Sequence, residues 1–177
     1  MKLKTPILKS SRLILRKFNP RDSNDLIELD LSSRKIGKIN NTKNAKIWIK
    51  NSIYDNKEGF YLAVVLKQEN KVIGYAELCH LGWFHQKEAG EICYHISKKY
   101  RGKGYATEAS RLLISYCFNK LKFRKIYADT DPDNFASQKV LKKLGFELEG
   151  TIREKHFVKG KWIDELDFGL LKSEWKK

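Results

Sequence analysis

The sequence predicts an α/β protein, a mixed sheet with helices packed on it, and three observations carry that prediction. Apolar runs of strand length recur along the chain, at Leu13–Leu15, Phe60–Leu66, Val72–Leu81 and Lys125–Thr130. Between them lie stretches with apolar residues at helical spacing, the longest being Gly104–Leu121. A glycine-rich turn, Tyr100-Arg101-Gly102-Lys103-Gly104-Tyr105-Ala106-Thr107, leads into that helix from a strand.

Taken in chain order, Leu13, Ile14 and Leu15 form a short first strand between Arg12 and Arg16. Asn19-Pro20 then opens a helix carrying Leu26, Ile27, Leu29 and Leu31. A second helix runs from about Lys43 to Tyr54, and the polar Lys35–Thr42 segment between the two reads as a mobile, substrate-facing loop. Phe60–Leu66 and Val72–Leu81 flank the turn Lys67–Lys71, as in an antiparallel hairpin, and Glu88–Ile96 adds a strand. After the Gly104–Leu121 helix come the strand Lys125–Thr130 and a helix Ala136–Leu144, stopped by Gly145. A hairpin of Phe146–Phe157 and Trp162–Leu171, turning at Lys159-Gly160-Lys161, closes the chain. The expected order is therefore β-α-α-β-β-β-α-β-α-β-β.

The length of 177 residues suits one domain, residues 1–177, and a hydrophobic fraction of 41% argues against disorder. No run of apolar residues is long enough to span a bilayer and the first ten residues lack a signal-peptide core, so the expected location is the cytoplasm. Cys79, Cys93 and Cys117 are too scattered for a disulfide framework. Cys79, His80, His85, Cys93 and His95 cluster in sequence, but without the spacings of a structural zinc site, and no metal is expected. The net charge of +15 comes mostly from 28 dispersed lysines against 8 arginines, and no nucleic-acid-binding motif accompanies them. Nucleic acid is therefore not an expected partner, although a positive field would concentrate any anionic ligand.

The Tyr100–Thr107 turn places backbone N–H groups at the positive end of a helix, a cradle for an anion. Gly102 and Gly104 permit close approach, and Arg101 and Lys103 add charge. A Walker loop is absent, and a dinucleotide fingerprint would need glycine where Thr107 stands and a position near the chain start.

Ile96-x-x-x-x-Arg101-Gly102-x-Gly104-x-Ala106 resembles the acetyl-coenzyme A signature of the GNAT N-acetyltransferases. Asp133-Asn134-Phe135-Ala136-Ser137 and Leu144-Gly145-Phe146 resemble the second block of that family. Glu91-Ile92-Cys93-Tyr94-His95-Ile96, Glu149-Gly150-Thr151-Ile152-Arg153 and Lys159-Gly160 are similar to its RimJ/RimL-type branch, which acetylates protein N-termini. The resemblance implies a mostly antiparallel mixed sheet, splayed at the cofactor strand and flanked by about four helices. It implies acetyl-coenzyme A as co-substrate, its pyrophosphate on Arg101, Gly102, Lys103, Gly104, Tyr105, Ala106 and Thr107. Its pantetheine arm is expected to pair with the strand at Tyr94, His95 and Ile96, with Asn134 and Ser137 completing the cofactor site.

Transfer of acetyl to an amine needs a neutral amine and a proton for the departing thiolate. An α-amine is about 10% neutral at pH 7, whereas a lysine amine is neutral in only about one molecule in 2,500. Glu91, on the strand leading into the loop, is the expected base, with Glu77 on the neighbouring strand in reserve; a solvated or ion-paired carboxylate is the alternative for Glu91. The family's usual tyrosine is missing from the Ser137–Lys143 stretch, which leaves Ser137 as acid or sulfur ligand, or as a helix-start residue assisting the cap. The expected acceptor is a protein N-terminal amine, such as that of a ribosomal protein, met by a monomer or homodimer. Two other readings stay open: a polyamine or aminoglycoside acetyltransferase drawing on Asp22, Asp25, Glu28 and Asp30, and a non-catalytic acetyl-coenzyme A or nucleic-acid-binding module.

Overall fold

A computed structural model describes residues 5–29, 39–52, 59–79 and 88–176. Its strands are β1 (Leu8–Lys9), β2 (Leu13–Arg16), β3 (Phe60–Leu66), β4 (Lys71–Cys79), β5 (Ala89–Ile96), β6 (Lys125–Thr130), β7 (Glu147–Val158) and β8 (Lys161–Leu171). Its helices are α1 (Ser23–Glu28), α2 (Thr42–Ser52), α3 (Tyr105–Asn119) and α4 (Phe135–Leu144). Leu31, Leu81, Tyr54, Asp30, His80, His85 and the 35–38 part of the expected loop lie outside the described residues.

The strands form one sheet in the order β1-β2-β3-β4-β5-β6-β8-β7. Every neighbouring pair is antiparallel except β5 and β6, whose parallel pairing requires the α3 crossover between them. The sheet is covered on both faces. On β3, Leu62, Val64 and Leu66 join the core under α3 and α4, while Ala63 and Val65 join Phe18, Leu26 and Ile49 on the α1 and α2 side. Burial from both sides explains why Phe60–Leu66 is apolar without alternation. Among the described residues, no helix is long and apolar enough to cross a membrane.

The strand β1 is an addition to the expected order. Two residues carry too little pattern to be read alone, and Leu8 becomes a strand residue only by pairing with Leu15. The first helix also starts differently, as a 3-10 turn over Pro20–Asp22 with reciprocal capping. Arg21 N donates to Asn19 Oδ1 at 2.9 Å, and Asn19 N donates to Asp22 Oδ2 at 2.8 Å.

The N-terminal hairpin is tied to α3 through Glu108, which accepts from Ser10 Oγ at 2.6 Å and from Arg12 Nε at 2.7 Å. Burial opposes ionisation of this carboxyl, but the hydrogen bonds from Ser10 and Arg12 prevail and lower its pKa. A lowered folded-state pKa gives stability that is present above the unfolded value, about 4.3, and is lost as pH falls through the folded one. Glu108→Gln is therefore expected to melt below the wild type at pH 7, with the two converging as pH drops below about 4 in thermal scans. A gap undiminished at pH 3 would show that the carboxylate charge is not its source.

Candidate active site

Three residue pairs join β5 to β6, Ala89↔Lys125, Gly90↔Ile126 and Glu91↔Tyr127, and there the pairing stops. On its other side β5 stays paired to β4 as far as Ile96↔Gly74, and β6 continues along β8 to Thr130. The sheet therefore opens as a V between Ile92–Ile96 and Ala128–Thr130. Ser97 N donates to Ile73 O at 2.9 Å, which sets the phase of the β4–β5 ladder. His95 then directs its main-chain groups at Tyr75, while Tyr94 and Ile96 direct theirs into the V.

At the mouth of the V, a 3-10 turn over Lys98–Tyr100 leads through Arg101 to Gly104 and into α3. Gly102 and Gly104 have φ of 76° and 80°, left-handed values that glycine adopts without strain. A Cβ on Gly102 would meet nothing within 4 Å, so the backbone conformation rather than space calls for glycine there. Glu108 N donates to Gly104 O at 3.0 Å as the first helical bond of α3, so the amides of Tyr105, Ala106 and Thr107 precede any intrahelical acceptor. Gly104 offers them no capping side chain. Arg12 braces the loop, donating from Nη1 to Lys103 O at 3.0 Å and lying 4.6 Å above the Tyr105 ring. Arg101 turns back, its Nε donating to Ile96 O at 2.8 Å, so this guanidinium anchors the loop to β5 and occupies the Ile96 carbonyl.

A cavity of about 1060 Å³ runs through the V, lined among others by Glu91, Tyr94, Asn134 and Ser137. Strand alternation puts Glu91 on the α1 and α2 face of the sheet and Tyr94 on the α3 and α4 face. Glu91, 8% exposed, sits where the V closes, opposite Cys79 on one side and Tyr127 on the other. The Cys93 thiol donates to Glu91 Oε1 at 3.4 Å. Glu77 is buried opposite Cys93, beside Tyr61, whose phenol is pushed up by burial and then by the Glu77 charge and hydrogen bond.

On the other face, Asn134 caps α4, its Oδ1 accepting from Ser137 N at 3.2 Å. The cap is thus the work of Asn134, and the Ser137 hydroxyl meets the Tyr94 hydroxyl at 2.9 Å. Burial pushes the Tyr94 phenol up to about 12, partly offset by that bond. Tyr94, expected at the cofactor strand, thus also reaches Ser137 with its phenol, a contact that the sequence did not reveal because the two residues lie 43 positions apart. His95, also expected at this strand, turns its side chain to the opposite face. Its ring stacks on Tyr75 at 5.8 Å and its Nε2 lies 2.9 Å from Leu29 O, so the side chain packs against α1.

Of the acidic residues considered for an amine-binding cleft, the three described ones, Asp22, Asp25 and Glu28, are each engaged by a neighbouring strand. Asp22 is held bidentately by Arg16 at 2.7 and 2.8 Å, Asp25 accepts from Val72 N at 2.9 Å, and Glu28 pairs with Lys71 at 2.6 Å. The acidic wall of the cavity comes instead from β6 and β8, through Asp129, Glu165 and Asp167. Glu165 is bridged by Lys155 Nζ at 3.0 Å and by His156 Nε2 at 2.6 Å. Burial and then the Glu165 charge raise the Asp167 pKa. No local pattern announces this wall, because its residues come from strands far apart in the chain.

Among the described strands the sheet opens at its one parallel seam, with uncapped helix amides at the mouth. Residues 12–147 match the family described as the acetyltransferase (GNAT) domain, and the chain belongs to that family. Its members are N-acetyltransferases that use acetyl-coenzyme A as co-substrate, and this protein is accordingly an acetyltransferase. It is similar to the uncharacterized N-acetyltransferase YnaD of Bacillus subtilis, with 30% identity over 94% of this chain and 97% of that one. The putative ribosomal N-acetyltransferase YdaF of B. subtilis is 28% identical over 94% and 95% of the two chains. The spermidine N(1)-acetyltransferase of Escherichia coli K12 is 31% identical over 70% of this chain and 63% of its own. Among solved structures, a GNAT-family acetyltransferase from Bacillus anthracis superposes with a TM-score of 0.81 at 25% identity, covering 96% of this chain and all of that one.

Proposed function

We propose that this protein transfers acetyl from acetyl-coenzyme A directly to the α-amine at a protein N-terminus, with both substrates bound together. The observation that carries the reading is the V, whose strand edge from Ile92 onward has no neighbouring strand among the described residues. An extended amide chain such as pantetheine can supply the missing neighbour at Tyr94, with the diphosphate on the amides of Tyr105–Thr107. A cavity of about 1060 Å³ leaves room for the pantetheine arm and the acceptor together. The thioester supplies an activated acyl carbon and a thiolate leaving group. On one face of the sheet Glu91, directly or through a water, takes the proton from the acceptor ammonium. On the other face Ser137, held by Tyr94, presents a hydroxyl to the departing sulfur. The RimJ/RimL-type sequence blocks and the similarity to YdaF support the N-terminal acceptor.

A second reading, acetylation of a small polycationic amine, is favoured by the acidic wall of Asp129, Glu165 and Asp167 and by the similarity to a spermidine acetyltransferase. A thiol-release assay with acetyl-coenzyme A against N-terminal peptides, polyamines and aminoglycosides separates the two. Turnover of at least one peptide is expected; turnover of polyamines alone would replace the first reading by the second, and steep salt-dependent RNA binding without thiol release would exclude both.

Tyr94→Phe tests the pair on the α4 side. With its phenol at about 12, Tyr94 remains protonated throughout the assay range and can keep the Ser137 hydroxyl oriented. The variant is expected to lose about tenfold in kcat with little change in KM for acetyl-coenzyme A, a loss that Ser137→Ala does not deepen, because the two act as a unit. Independent, multiplicative losses would separate them.

A further inference from the structure

Cys79 and Cys93 match no zinc-knuckle spacing, yet the pairing of β4 with β5 brings their sulfurs to 3.9 Å. Two thiolates on one tetrahedral zinc, each about 2.3 Å from the metal, stand about 3.8 Å apart. The register sets Glu77 opposite Cys93 and Cys79 opposite Glu91, so the donors share one face of two rigid neighbouring strands. A Glu77 carboxylate oxygen and both sulfurs all lie within 4.8 Å of one another. A zinc-bound sulfur and oxygen are about 3.6 Å apart, so a rotation of the Glu77 side chain by about an ångström closes the set. Tyr61, hydrogen-bonded to Glu77, is in place to orient the ligating carboxylate. Glu77 is buried and the two cysteines are half-buried, which gives a desolvated ligand with an entry path through the sulfurs.

We propose that Glu77, Cys79 and Cys93 form a three-ligand site for a thiophilic divalent cation, zinc above all, and that filling it inhibits acetyl transfer. Binding converts two thiols to thiolates and releases two protons per ion, so affinity rises with pH. Three protein ligands leave the fourth position to water. Because Cys93 and Glu91 line the same cavity, with the Cys93 sulfur 3.4 Å from Glu91 Oε1, the dication stands beside the proposed base and repels the acceptor ammonium from it. The inhibitory half rests on the proposed role of Glu91; the binding half does not.

The site is tested on the reduced full-length chain, without coenzyme A, by titrating cadmium while following the thiolate-to-cadmium ultraviolet band, with zinc then competed against cadmium. One ion per chain is expected, with two protons released in calorimetry across buffers of different ionisation enthalpy. Cys79→Ser and Cys93→Ser should each weaken binding at least about 100-fold, and Glu77→Gln about tenfold, whereas Cys117→Ala should leave it unchanged. A band that survives in either serine variant, or its absence from the wild type at tenfold excess of cadmium, overturns the site. Where an acetylated product can be measured, zinc should inhibit the wild type but not Cys79→Ser. Inhibition of both equally would overturn the regulatory half. A chain that turns over no amine yet binds cadmium as described would count against the acetyl-transfer reading and leave the metal site standing.

Discussion

Gly104→Asp is expected to weaken acetyl-coenzyme A binding at least about 100-fold by calorimetry, a loss of about 2.7 kcal/mol. Two effects combine. Gly104 holds φ of 80°, and a residue with a Cβ there pays about 1 kcal/mol for the left-handed conformation. Space is not the obstacle, since the nearest atom to a new Cβ is Arg12 Nη2 at 3.6 Å. The larger effect is charge, because a carboxylate at the start of α3 both repels a diphosphate and competes with it for the amides of Tyr105–Thr107. Gly104→Ala separates the two, carrying only the conformational cost and an expected loss of at most about fivefold. Both variants should melt close to the wild type, the loop being exposed and outside the core. Binding by Gly104→Asp within threefold of the wild type would mean that the diphosphate lies elsewhere.

Glu91→Gln should lower the rate about 100-fold at pH 6.5 and less than about tenfold at pH 9. An α-amine is only about 5% neutral at pH 6.5 and more than about 90% neutral at pH 9, so a base is needed at the first pH and nearly dispensable at the second. Burial where the V closes puts Glu91 on the cavity wall, out of bulk solvent. The pH at which variant and wild type converge also reports the acceptor, since a lysine-type amine with a pKa of about 10.4 would keep them apart at pH 9. Equal losses at both values would take the base role from Glu91. Glu77→Gln, which alters the Tyr61 partner instead, provides the comparison.

The parallel seam illustrates how far local signals reach. The limits of β6 come from its own apolar pattern, and α4 ends at Gly145, whose φ of 91° suits glycine. The same holds for Gly102 and Gly104, whose left-handed backbone shapes the loop into α3 before any strand is paired. These features depend on residues within a turn or two of one another, and so they are written in composition and spacing.

The depth of the V is another matter. It depends on α3 carrying the chain over the sheet so that β6 meets β5 for three residues only. That crossing turns Tyr94 toward Ser137, while the β4–β5 register brings Cys79 to Cys93 and alternation along β5 sends His95 to Leu29. Tertiary packing likewise ties Asp22, Asp25 and Glu28, acidic and close in sequence, to β2 and β4, while Asp129, Glu165 and Asp167 line the cavity. From its residues alone the chain declares its elements, its glycine loop and its family resemblance, because turn chemistry and periodicity are local. Which side chains face one another across the opened sheet was decided by strand register and helix crossing, and those are settled only when distant segments compete to bury the same apolar surface.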